Sequence, residues 1–146
     1  MKRSAIVRSV PLARTGKPKA KRGTSAASAK RKADDVWRLV IRQRDKVCQV
    51  CGRDNGILAA HHVMIRSFSL TRTDEDNGLL ACYQCHQDKL HGDPLEAVKF
   101  YTRRYGVEGY ADLRKKALSG VGMKFPASYW IAERERLQSL LGALDG

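Results

Sequence analysis

Long apolar stretches are absent from this sequence, and aromatic side chains are scarce. No run of apolar residues approaches the roughly 20 that a membrane-spanning helix needs, so we expect no membrane partner. Aromatic residues make up only 7% of the 146 positions, which predicts a modest core that needs other support. The apolar segment at 4–7 ends at Arg8 and is too short for a secretory signal. We therefore expect the chain to stay in a reducing cytoplasm.

Acidic residues are missing from the first 32 positions, which carry eleven Lys or Arg side chains. The whole chain has 28 basic and 15 acidic residues, which leaves seventeen basic and fifteen acidic ones after position 32. A self-repelling block with little to bury predicts a disordered arm over 1–32. Its charge suits contact with a nucleic acid, although a solubilising or targeting tail would have the same composition. The arm residues that we expect to contact phosphates are Lys17, Lys19, Lys21 and Arg22.

Apolar periodicity returns directly after the arm. Trp37 and Ile41 lie one helical turn apart, which predicts a helix that ends near Lys46. Asp34 or Asp35 would cap the N-terminus of this helix or complement its dipole.

Two short strands and further helices complete an α+β pattern. Apolar segments at 57–63 and 78–81 predict the strands, and a helix follows through 86–91. Asp93-Pro94 begins the helical C-terminal third, in which we predict helices at 93–106, at 110–118 and from Pro126 onward. The predicted organisation is a disordered arm at 1–32, a zinc-stabilised domain at 33–92 and a helical extension at 93–146.

Four cysteines form two pairs with the same internal spacing. Two residues separate Cys48 from Cys51 and Cys82 from Cys85, and thirty residues separate the two pairs. Each pair presents two sulfurs on one side of a tight turn, and two such turns supply the four thiolates of a tetrahedral Zn²⁺ site. We predict a structural zinc ion that supports a hairpin with too few apolar residues to hold itself.

Disulfide bonding, redox activity and haem attachment are the alternatives to zinc binding for these cysteines. Disulfides are disfavoured in a reducing compartment, and a redox pair would need a thioredoxin-like context that the sequence does not have. The segment 82–86, Cys-Tyr-Gln-Cys-His, also fits the pattern for covalent haem attachment. That interpretation requires export and leaves Cys48 and Cys51 without a role.

All four histidines, at 61, 62, 86 and 91, lie within thirty-one residues, between or directly after the cysteine pairs. A neutral imidazole binds metal ions and acts as a general base near pH 7. Adjacent histidines at a strand end point in opposite directions, so one can bind a metal ion while the other faces a substrate. His86 and His91 are five residues apart and do not share a helix face perfectly. Alternatively, each histidine is an ordinary hydrogen-bonded polar side chain or a substitute ligand of the zinc ion.

These residues, in this order, resemble the HNH endonuclease motif. The resemblance covers about residues 45–92 and implies a ββα-metal fold that hydrolyses DNA phosphodiester bonds with a metal ion. It also implies products with 5′-phosphate and 3′-hydroxyl ends. Besides the cysteine pairs, the matching segments are Ala60-His61-His62-Val63, Asp76-Asn77-Gly78-Leu79-Leu80, and His86 with His91.

The resemblance implies roles for individual residues. His62, the second histidine of the pair, corresponds to the general base, and Asn77 to the residue that holds the loop and orients the base. His61 and His86 correspond to ligands of a catalytic divalent ion, Mg²⁺ or another metal, and His91 to a further ligand or a phosphate contact. Many members have Asp or Glu where His61 stands, so a neutral ligand here can shift the preference from Mg²⁺ towards softer ions.

A less specific resemblance, to NinG-type phage recombination proteins, extends beyond this motif. It implies a phage or prophage nuclease that acts on branched DNA in a bacterial host, within a packaging or recombination complex. The residues that carry it are Arg66-Ser67, His91-Gly92-Asp93-Pro94, Tyr129-Trp130 and Leu137.

Two other interpretations share the cysteines and the basic arm. A zinc-stabilised DNA- or RNA-binding module without catalysis would not require the histidines and Asn77 together. A nuclease that is active only inside a larger assembly would require them.

Arg66 and Arg72 are further candidates for phosphate contacts, with a solvated loop as the alternative. The pattern does not predict an oligomeric state.

Overall fold

A computed structural model describes residues 24–146 of the chain. Most of the expected arm lies outside the described residues, and so do Lys17, Lys19, Lys21 and Arg22, whose phosphate contacts stay a prediction. Within 24–146, no helix is both long enough and apolar enough to cross a lipid bilayer.

In the part of the chain that the structure describes, three α-helices surround a two-stranded hairpin and a short π-helix. In chain order the elements are α1 (Ala26–Asp45), β1 (Leu58–His62), β2 (Gly78–Cys82), the π-helix (Cys85–His91), α2 (Pro94–Ser119) and α3 (Ala127–Asp145). β1 pairs with β2 in antiparallel register, so that His61 lies opposite Leu79 and His62 opposite Gly78. Two strands followed by a helix form the ββα-metal core, and the predicted α+β class is confirmed.

Helix α1 begins earlier than the apolar periodicity predicted. Its first helical residue is Ala26, and the Ser25 hydroxyl caps it by accepting a hydrogen bond from a backbone N–H three residues later at 3.2 Å. The predicted cap at Asp34 or Asp35 is therefore wrong. The segment 26–32, which was expected to belong to the disordered arm, is helical.

Small side chains explain the early start of α1. Ala29 and Ala33 are buried and pack in one cluster with Trp130 of α3. The first turns of α1 therefore have an apolar face, while Arg31 and Lys32 are exposed to solvent. A search for large apolar residues at helical spacing does not detect such a face, because alanine contributes little to the pattern.

The core behind the hairpin joins α1, β2 and α3. Trp37, Ile41, Leu80 and Leu137 are fully buried and pack in one cluster. Gly78 permits this packing, because a Cβ atom there would lie 2.6 Å from the Trp37 ring and 2.7 Å from Ile41 Cγ1. The close approach of β2 to α1 brings Trp37 to the end of the hairpin that carries His62.

The C-terminal helices begin where the sequence predicted. Asp93 caps α2 by accepting hydrogen bonds from two backbone N–H groups, and Pro94 occupies the first helical position. Helix α3 begins directly after Pro126. The two helices predicted at 93–106 and 110–118 both lie within α2, and a kink at Gly106 separates them, where the backbone adopts a φ of 75° and a ψ of 164°.

Candidate metal centres and active-site cleft

The four cysteine side chains converge at one end of the hairpin. The two thiols of the first pair lie in the turn after α1, Cys82 ends β2 and Cys85 begins the π-helix. All four Sγ atoms lie within 4.8 Å of one another. Zn–S bonds of about 2.3 Å in a tetrahedron place sulfur atoms about 3.8 Å apart, and the Sγ atoms of Cys51 and Cys82 are 3.8 Å apart. The donor set therefore fits a structural zinc ion.

The pKa values of two of these thiols are shifted in opposite directions. Burial alone raises the pKa of Cys48, but hydrogen bonds from the backbone of Cys82, Cys51 and Val50 outweigh it and lower the pKa to about 7. Burial and the neighbouring thiols raise the pKa of Cys85 to about 12. A cation bound among the four sulfurs would favour the thiolate form of each, because an opposite charge nearby lowers the pKa of a thiol.

Three imidazoles form a second cluster on the same hairpin and helix. His61 comes from β1, and His86 and His91 come from the two ends of the π-helix. One ring nitrogen from each lies within 4.8 Å of the others. The ring centroids are 5.0 Å apart for His61 and His86, 4.9 Å for His61 and His91, and 4.5 Å for His86 and His91. The chemistry of three nitrogen donors fits a divalent transition-metal ion.

The π-helix explains how His91 joins this cluster. The five-residue spacing predicts that His86 and His91 do not share a helix face perfectly. That prediction assumes an α-helix with 3.6 residues per turn. A π-helix is wider, and its hydrogen bonds connect residues five apart. His86 and His91 therefore lie on neighbouring turns of one face, and their rings meet at 4.5 Å.

His61 is held in a buried environment that keeps its ring neutral. Burial, followed by repulsion from His86, His91 and His62, lowers the pKa of His61 to about 3. Its Nε2 atom lies 2.7 Å from the Tyr101 hydroxyl of α2, which leaves Nδ1 as the nitrogen without a hydrogen-bond partner among the described residues. Burial also lowers the pKa of His86, with a further contribution from His91. These rings are unprotonated at neutral pH, as metal binding requires.

His62 faces away from this cluster and is held by different partners. Its ring stacks on Trp37 with centroids 3.8 Å apart and planes inclined by 15°. Its Nε2 atom lies 2.9 Å from the Arg72 carbonyl oxygen, which can only accept, so Nε2 carries the proton and Nδ1 has a free lone pair. Burial lowers the pKa of His62 to about 4, against smaller opposing contributions from the Arg72 carbonyl and Asp34. A neutral ring is the form that can accept a proton.

Asn77 is completely buried and fastens the loop that joins the strands. Its amide nitrogen donates to the carbonyls of Met64 at 3.0 Å and Thr71 at 2.8 Å, and its oxygen accepts from the Met64 N–H at 2.6 Å. The carbonyl that accepts the hydrogen bond from His62 belongs to Arg72, the residue after Thr71. Asn77 is therefore linked to His62 indirectly, through the backbone of this loop.

The structure separates the two arginines that were expected to contact phosphates. Arg72 donates from Nε and Nη2 to the two carboxylate oxygens of buried Asp34 at 2.7 and 2.5 Å, and its side chain is only 12% exposed. A third nitrogen donates to the Arg66 carbonyl, so internal partners occupy much of this guanidinium, and the phosphate contact expected of Arg72 stays a prediction. Arg66 itself is exposed at the edge of the histidine cleft.

The histidines open onto one cleft of about 460 Å³. It contains both the three-imidazole cluster and His62, whereas none of the four cysteines lines it. The lining residues are Arg38, Ala59, Ala60, His61, His62, Ile65, Arg66, His86 and His91. One cleft therefore contains the donor set for a metal ion, a neutral imidazole outside that set and two guanidinium groups, those of Arg38 and Arg66.

Three partners of the histidines were not recognised in the sequence. Tyr101 contacts His61, Trp37 stacks on His62, and Asp34 fixes the loop through Arg72. Trp37 and Tyr101 occur in apolar helical patterns, where nothing distinguishes a site contact from core packing. The signal for Asp34 is an acidic residue in the interior of a helix on the same face as Trp37, which is unusual unless it is paired.

The hairpin, helix and side-chain clusters define a ββα-metal domain. Residues 48–92 match the model of the HNH endonuclease family. This match confirms the predicted resemblance for the segment that contains both clusters, His62 and Asn77. No curated protein and no solved structure matches the chain. These comparisons therefore do not support the resemblance to NinG-type proteins.

Proposed function

We propose that this protein is a metal-dependent endonuclease that hydrolyses phosphodiester bonds in DNA. The observation that carries the proposal is the presence of a three-imidazole cluster and a neutral, differently held His62 in one cleft. A binding module has no need for either group. The family match over 48–92 supports the same reaction class.

His62 is the general base in this proposal. Its free Nδ1 takes the proton of the attacking water, while Nε2 continues to donate to the Arg72 carbonyl and stabilises the imidazolium that forms. His61, His86 and His91 are the ligands of the catalytic ion. A divalent ion bound there would supply positive charge to stabilise the charge that develops on the phosphate oxygens. The expected products carry 5′-phosphate and 3′-hydroxyl ends, as the family resemblance implies.

The donor set also favours particular metals. Imidazole nitrogen suits Zn²⁺, Ni²⁺ and Co²⁺, whereas Mg²⁺ prefers oxygen ligands and keeps several waters. The three members of the cluster are histidines, so the cluster offers Mg²⁺ no carboxylate oxygen. We therefore expect Ni²⁺ or Co²⁺ to support cleavage at lower concentrations than Mg²⁺ does.

Replacement of His62 tests the proposal directly. His62→Ala should lower the rate of nicking of supercoiled plasmid by about 10² to 10⁴-fold, the usual contribution of a general base. Zinc content and thermal melting should change much less than this rate. Gln138→Ala, an exposed change on α3 away from the cleft, serves as the control and should cut like the parent. Equal rates for His62→Ala and the parent would show that another group is the base.

A non-catalytic DNA- or RNA-binding module is the alternative from a different class. It accounts for the cysteine cluster and the basic residues, and it predicts DNA binding without nicking in any divalent metal. If the protein is a nuclease, EDTA should stop the nicking. If it is a binding module, the DNA should stay intact both with divalent metal and with EDTA. A nuclease that needs a recombination or packaging complex, including one of NinG type acting on branched DNA, would become active only after its partners are added.

A further inference from the structure

We propose that a groove between α1 and β1 binds the phosphate backbone of the DNA strand that enters the histidine cleft. This inference rests on the proposed function and adds a substrate-binding surface to it. The surface lies largely on α1, outside the segment 48–92 that matches the nuclease family. We name it the α1 groove, and it is lined by Asp35, Arg38, Leu39, Arg42, Leu58, Ala59, Ala60 and Leu80.

The α1 groove continues directly from the histidine cleft. It has a volume of about 480 Å³ and shares three lining residues with the cleft: Arg38, Ala59 and Ala60. The two alanines belong to β1 immediately before His61, so the floor of the groove leads to the imidazole cluster. Small side chains there leave space for an extended ligand that passes from one cavity into the other.

Helical spacing brings the positive charges of the groove into one row. Arg38 and Arg42 are four residues apart, so they share a face of α1 with a rise of about 6 Å between them. Arg66 lines the histidine cleft together with Arg38. Three guanidinium groups thus line the two connected cavities, and their planar forks suit phosphate oxygens.

The existing partners of these arginines are weak competitors. Asp35 is the one acidic residue in the lining of the groove and lies 2.5 Å from Arg38, but both side chains are largely exposed, at 65% and 48%. Exposed ion pairs contribute little to stability, so phosphate can replace the carboxylate. Arg42 makes one long hydrogen bond of 3.5 Å to the Leu58 carbonyl and keeps its other donors available.

The salt dependence of DNA binding tests the groove. Each phosphate contact to duplex DNA adds about 0.9 to the slope of log affinity against log salt concentration. Arg38→Ala/Arg42→Ala should therefore lower the slope by about 1.8 in fluorescence anisotropy titrations with a labelled duplex, without added divalent metal. Arg103→Ala/Lys115→Ala is the matched control, because both residues are exposed on α2 and line neither cavity. The control should leave the slope nearly unchanged.

Charge retention and kinetics separate phosphate binding from damage to α1. Arg38→Lys/Arg42→Lys should restore most of the slope, and all variants should keep the zinc content of the parent. In plasmid nicking, the alanine variant should raise KM with little change in kcat, as expected for loss of uniform binding.

Two outcomes would overturn the proposal, and a third would separate it from the nuclease function. An unchanged slope in Arg38→Ala/Arg42→Ala would assign the groove to a different partner, such as an acidic protein. An equal fall of the slope in the Arg103→Ala/Lys115→Ala control would show that the effect depends on the net charge of the protein and not on the groove. If no variant cuts DNA but the slope still falls by about 1.8, the α1 groove stands as a DNA-binding surface and the nuclease function fails.

Discussion

The sulfur cluster and the imidazole cluster lie on the same hairpin and helix, but they differ in what surrounds them. Three of the four cysteines are buried and none lines a cleft described above, whereas all four histidines line one cleft. Four thiolates complete a tetrahedral shell, while three imidazoles leave room for a substrate or a water. The chain therefore separates a four-donor set that would fill the shell of a zinc ion from a three-donor set that would leave a position open.

Neighbouring residues test this division most severely. Cys85 and His86 are adjacent in the π-helix, yet their side chains belong to different clusters. We expect Cys85→Ser to abolish cooperative unfolding, because zinc binding at such sites contributes folding free energy on the order of 10 kcal/mol. Circular dichroism melts and zinc analysis of the purified variant would measure the loss. A sharp melt at the parent temperature, with zinc retained, would contradict the structural role of this cluster.

His86→Ala should have a smaller and different effect. It removes one of three ligands of the open site, so binding of the second ion should weaken by more than the 10- to 100-fold typical of indirect contacts. Calorimetric titration of zinc-loaded protein with Ni²⁺ would measure this, and nicking should fall in parallel. Cysteine-bound zinc and the melting temperature should stay close to those of the parent. Loss of zinc in this variant would mean that the two clusters are not independent.

Tyr101→Phe should have the smallest effect of the three. With Nδ1 of His61 bound to a metal ion, Nε2 carries a proton and donates to the Tyr101 oxygen. Removal of that oxygen should weaken the second ion by about 10- to 100-fold in competition with a chelator and lower the melting temperature slightly. Tyr110→Phe, on the same helix, is the control. Tighter metal binding by Tyr101→Phe would instead show that the phenol competes with the metal for His61.

The cysteine quartet, the hairpin and the histidine pair could be predicted from the sequence because their information is local. Cys48 and Cys51 sit in one turn, and the alternation along β1 separates His61 from His62 without any long-range knowledge. The same holds for the start of α2, where Asp93-Pro94 is a complete capping signal.

Other features depended on contacts between distant segments. Arg72 resembles any exposed loop arginine in the sequence, and only the structure shows its ion pair with Asp34, 38 residues earlier. The role of Tyr101 depends in the same way on packing of α2 against the π-helix. The early start of α1 depended on alanines whose partner, Trp130, lies about a hundred residues later in the chain.

The wide turn between His86 and His91 has a consequence for how the open site tolerates changes in chain length. In an ordinary α-helix, residues four apart share a face, so a chain one residue shorter could present the same pair of imidazoles. The π-helix absorbs one additional residue and returns the second imidazole to the same side. Spacing in the sequence and spacing in the metal cluster are therefore only loosely coupled at this point, and either helical form can serve the same ion.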